Sequence, residues 1–105
     1  MIDEWLPIRY RDFHDFPRAF VVEYDNDLLF FDCPFSDVLD DYPTDFAVYR
    51  VADELRAQID SLAWANLGAR FLRLGVVPTS AVIFDETKRR AIKSQVFGLI
   101  RSLIS

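Results

Sequence analysis

The chain holds one histidine and one cysteine, His14 and Cys33, and these are the first places to look for acid–base or nucleophilic chemistry. His14 sits in Arg11-Asp12-Phe13-His14-Asp15. An imidazole titrates near neutrality, and a neighbouring carboxylate can orient it as a general base. No serine or cysteine adjoins it in sequence, and the plainer reading is a polar residue in a turn before Pro17. Cys33 sits in Asp32-Cys33-Pro34. A reactive thiolate needs a cation or a helix N-terminus beside it. Here the neighbour in sequence is an aspartate, and Cys33 reads as a small buried hydrophobe in a strand. A Cys33–His14 dyad is geometrically open if the first strand pairs with the following hairpin, but nothing in the sequence requires it.

The densest polar feature is the acidic stretch Ser36 to Asp45, with Asp37, Asp40, Asp41 and Asp45. Four carboxylates can ligate Ca²⁺ or Mg²⁺, and Asp32 could join them. The spacing fits no EF-hand, and the sharp-turn glycine of that loop is absent. A solvated loop is the simpler reading. Phe35, Leu39 and Tyr42 interleave with Asp37, Asp40 and Asp41, and aromatic or apolar groups beside charges mark interfaces. These six residues are the candidate binding surface. No residue is assigned a catalytic or metal-ligating role, and no cofactor is expected.

The other motifs read as structure. Three glycines, at 68, 75 and 98, cannot build a dinucleotide or P-loop cradle. One cysteine forms no intrachain disulfide and no thiolate metal cluster. Lys88-Arg89-Arg90 with Lys93 could meet phosphates, but a chain of net charge −5 opposes non-specific nucleic-acid binding, so a charged hairpin turn is expected. Trp5 and Trp64 are expected to pack rather than to stack on a ligand.

Charge is unevenly spread. Residues 1–60 hold fifteen Asp/Glu and five Lys/Arg; residues 61–105 hold two and seven. Either the two portions pair their charges within one fold, or the domain presents an acidic face to a basic partner.

The elements that must position these groups follow from periodicity. Residues 18–24 are β-branched and aromatic, Asp25-Asn26-Asp27 is a turn, and Leu28 to Phe35 is the return strand. Phe20, Val22 and Tyr24 share one face; Leu29, Phe31 and Cys33 alternate with Leu28, Phe30 and Asp32. Both faces are apolar, which places this hairpin centrally with cover on each side. Further strands are expected at 8–13, 46–51, 70–77, 81–85 and 90–92, with Pro17 ending or bending the first. A helix is expected over about 53–67, capped by Asp53 and closed by Gly68, and a last helix over about 94–104, capped by Ser94.

The order of elements predicts one α+β domain spanning 1–105. Its antiparallel sheet has five to seven short strands, open or curled towards a barrel, with two helices including a C-terminal one. Half the residues, 51%, are apolar, and length suffices for a core without staples. The start lacks a signal-peptide pattern and no apolar run approaches a membrane span, which points to the cytoplasm. The expected function is a small binding or protein-interaction module without catalytic activity. The alternatives are a small enzyme or metal-dependent hydrolase using His14 with nearby carboxylates, and an acidic immunity-type inhibitor of a basic partner. A homo-oligomer through the last helix is open.

Overall fold

In a computed structural model, residues 5–13, 17–24, 26–33, 36–41, 43–62, 64, 71–85 and 91–104 are described. Six strands form one antiparallel sheet: β1 (Trp5–Phe13), β2 (Pro17–Tyr24), β3 (Asp27–Asp32), β4 (Asp45–Arg50), β5 (Leu72–Pro78) and β6 (Ala91–Lys93). Their order across the sheet is β5-β4-β3-β2-β1-β6. The sheet is open and does not close into a barrel. Two helices are α1 (Asp53–Arg56) and the C-terminal α2 (Phe97–Ile104). No helix among the described residues is long and apolar enough to cross a membrane. The Cα radius of gyration is 13.1 Å, close to the roughly 13 Å of a compact 100-residue domain.

The β2–β3 hairpin is central, as its two apolar faces predict. Tyr24 pairs with Asp27 and Ala19 with Asp32. Asn26, in the turn, has φ 70°, a left-handed conformation that asparagine tolerates better than most residues. One face of the sheet carries Phe20, Val22, Leu29, Phe31, Cys33, Phe46, Val48 and Val77, covered by α2 and by Val82 and Phe84. Phe20 stacks on Phe31 at 4.7 Å and meets Phe46 edge-on at 5.4 Å; Phe31 meets Phe97 of α2 edge-on at 6.4 Å. Such pairs add about 0.5–1.5 kcal/mol each beyond area burial. The other face carries Ala19, Val21, Leu28 and Phe30, covered by Ile59 and Trp64, with Leu55 and Leu62 packed against them.

Several expectations need correction. The helix over 53–67 is not continuous. It stops at Arg56, and a short 3₁₀ turn follows at Ile59–Ser61. Leu62 is extended, with ψ 150°, and the Trp64 indole N–H donates to the Ile59 carbonyl at 2.8 Å. A continuing α-helix would give that carbonyl to the backbone N–H four residues on. Ala52, not Asp53, is the N-cap residue, and its side chain makes no cap. The last helical segment begins with a 3₁₀ turn at Ser94–Val96, whose N-cap is Lys93 rather than Ser94. Pro17 opens β2, opposite Phe13, a place where a strand accepts proline. Residues 81–85 are not a full strand, but they do pair antiparallel with β6, at the Phe84–Ile92 bridge and through the Asp85 N–H to the Ala91 carbonyl at 2.8 Å and the Lys93 N–H to the Ile83 carbonyl at 2.9 Å, while the β6 ladder runs along β1. Gly68 lies outside the described residues.

Candidate functional site

The chain leaves β3 at Asp32 and re-enters the sheet at Asp45. Between them, Ser36 and Asp41 close a tight turn through two backbone hydrogen bonds. The Ser36 N–H donates to the Asp41 carbonyl at 2.9 Å, and the Asp41 N–H donates to the Ser36 carbonyl at 3.3 Å. The Ser36 hydroxyl accepts from the Leu39 N–H at 3.2 Å. Asp40 takes φ 53°, which the short polar side chain of aspartate permits. The result is a folded loop whose tip is Val38 and Leu39, 95% and 63% exposed. Asp37, Asp40 and Asp41 surround the tip and are exposed.

Of the six predicted contact residues, Asp37, Leu39, Asp40 and Asp41 are thus brought onto one exposed turn. Phe35 and Tyr42 lie outside the described residues. Val38, the most exposed large hydrophobe among the described residues, does not stand out in sequence. Its position beside Leu39, between Asp37 and Asp40, is the signal that a four-residue turn would display both side chains.

The base of this loop is anchored in the core. The Cys33 N–H donates to the Arg18 carbonyl at 2.8 Å. The Cys33 thiol, fully buried, donates to the Pro43 carbonyl at 3.3 Å. An Arg18 guanidinium N–H reaches the Cys33 sulfur at 3.3 Å. Arg18 is only 7% exposed, and an ionised side chain is tolerated there only with hydrogen-bonding partners. The cation that Cys33 lacks among its sequence neighbours is therefore supplied across the β2–β3 ladder. Complete burial keeps the sulfur from solvent, in line with the reading of Cys33 as a core residue.

His14 and Lys88 to Arg90 lie outside the described residues, so the Cys33–His14 pairing does too. Trp64 is buried edge-on against Phe30 at 5.6 Å and is a packing residue. Trp5 is half exposed, and the Lys93 ammonium lies 5.5 Å from its ring centre. Among the described residues no three His, Cys, Asp or Glu side chains gather closely enough to hold a metal ion. A half-open groove of about 490 Å³ crosses β1, β2 and the start of β3, lined by Pro7, Arg9, Val21, Glu23 and Leu28 among others. Arg9 is paired with Asp60, and Glu23 lies 3.9 Å from Arg56, so its charged rim is balanced. Asp27 lies 3.8 Å from Arg50. These three ion pairs all join residues of the acidic first portion of the chain.

The chain matches no family model, and comparison with curated proteins and with solved structures returns no match.

Proposed function

We propose that this protein is a small interaction module without catalytic activity, which docks a basic protein partner through the loop over 36–41. The observation that carries this reading is the tip: Val38 and Leu39 stand exposed on a turn held closed by Ser36 and Asp41. Burying one such side chain on a partner is worth about 1.5–3 kcal/mol. The turn is already folded, so less ordering entropy opposes binding than for a floppy segment. Asp37, Asp40 and Asp41 around the tip would steer a cationic partner and reject an acidic one.

The test compares wild type with the double variant Val38→Asp/Leu39→Asp, both immobilised. A partner captured by wild type is identified, purified and titrated at low and moderate salt. The double variant is expected to lose at least about tenfold in affinity, more than 1.4 kcal/mol, with an unchanged melting temperature. Wild-type affinity is expected to fall as salt rises. Equal affinity of the two forms, with the fold intact, would overturn the reading.

A further inference from the structure

We infer that Arg18 and Cys33 are positioning residues that clamp the base of the 36–41 loop, an inference that rests on reading this loop as the contact surface. The two legs of the loop leave the fold at Cys33 and at Pro43. The Cys33 thiol spans them directly, from one leg to the carbonyl of the other. Arg18, from β2, holds the sulfur from behind with its guanidinium, and holds the Cys33 backbone through its own carbonyl. The second leg is fixed one residue further on, where the Thr44 carbonyl accepts from the Thr79 N–H at 2.8 Å.

Nine residues separate Cys33 from Pro43 in sequence. Bringing the ends of such a segment together costs entropy, and the clamp supplies a fixed separation at the point where the turn emerges. The expense of burying a guanidinium makes sense in this light. Buried ionic groups add little net stability, and their best-attested use is to specify one arrangement over its alternatives. An apolar residue at position 18 would fill the same space with no hold on the sulfur. The Ser36–Asp41 bridge then builds on a base of set width, so the direction in which Val38 and Leu39 point is decided inside the core.

Hydrogen exchange tests this without any partner. In Cys33→Ala the Ser36 and Asp41 amides are expected to exchange faster by roughly 2- to 10-fold, the range of one net hydrogen bond. Amides of the β2–β3 ladder, such as Val22 and Leu29, are expected to keep their wild-type protection. Cys33→Ser, which retains a donor and an acceptor, is expected to restore most of the loop protection. Arg18→Met, an apolar replacement of similar length, is expected to loosen the same two amides. If Cys33→Ala fails to fold, Cys33→Val fills the space without a donor and carries the same readout. Unchanged loop exchange in a folded Cys33→Ala or Cys33→Val protein overturns the clamp. Partner titration with the Val38→Asp/Leu39→Asp variant decides the interaction reading separately, so the two can fail independently.

Discussion

Two acidic turns flank β3, and each holds one Asx residue in the left-handed region: Asn26 at φ 70° and Asp40 at φ 53°. They are used in opposite ways. The first turn is pinned from outside. Arg56 donates to the Asn26 carbonyl at 2.7 Å, and Arg50 lies 3.8 Å from the Asp27 carboxylate. The second turn is closed by a backbone bridge between Ser36 and Asp41 and exposes two aliphatic side chains to water. Similar composition therefore yields a joint in one place and a display in the other. Cations from β4 and α1 reach the first turn, while a backbone bridge between Ser36 and Asp41 closes the second, which is anchored at its base.

Both turns hang on β3, so the largest effect comes from breaking that strand. Phe31 is fully buried between Phe20, Phe46 and Phe97. Phe31→Ala is expected to cost about 3–5 kcal/mol through lost transfer energy and the cavity left behind. Urea unfolding measures this; a loss below about 1 kcal/mol, a fraction of the usual large-to-small cost, would mean that the core does not lock the hairpin in place.

The next effect separates the turns. Asn26→Val places a β-branched residue at a left-handed position and is expected to cost about 1–2 kcal/mol. Asn26→Gly is expected to change stability little, because glycine adopts this conformation freely. Since the turn joins the two central strands, the loss should appear in global unfolding while partner binding stays intact. An Asn26→Val protein as stable as wild type would show that the turn is not held where it is described.

How much of this is legible in sequence depends on what periodicity reports. The central hairpin is readable because residues 18–33 alternate with period two and leave both faces apolar. Position 18 shares that parity with Phe20 and Val22, so the inward direction of Arg18 is present in the pattern, masked by its charge. The segment after β4 departs from expectation for a related reason. Leu55, Ile59 and Leu62 fall at helical spacing and do pack on one cluster. Spacing states which side chains face the core; it does not state how many turns join them. A single α-turn and a 3₁₀ turn satisfy the same contacts once the Trp64 indole takes the Ile59 carbonyl. The candidate loop is legible as a loop from its acids and Pro43, but its tip is not. In sequence Leu39 groups with Phe35 and Tyr42 at a spacing of three to four, a helical pattern. A closed turn displays adjacent residues instead, which is why Val38 belongs with Leu39. The clamp is beyond sequence reasoning, because it joins residues fifteen and ten positions apart through a ladder register that only the folded sheet defines.

The smallest global effect is expected at the second turn, and it sharpens the comparison most. Asp40→Gly removes one exposed carboxylate and relieves a left-handed aspartate. At an exposed position outside the core, the change in unfolding free energy should stay within about 0.5 kcal/mol. Locally the glycine has two opposed consequences: it fits φ 53° without strain, and it widens the conformations open to the turn when the Ser36–Asp41 bridge breaks. Exchange of the Asp41 amide reads their balance. If the turn is a stiff display, protection at Asp41 holds or rises while affinity for a basic partner falls modestly, by the steering charge lost. If instead Asp40→Val lowers the global melting point as far as Asn26→Val does, the second turn is a structural joint like the first, and the distinction between them collapses.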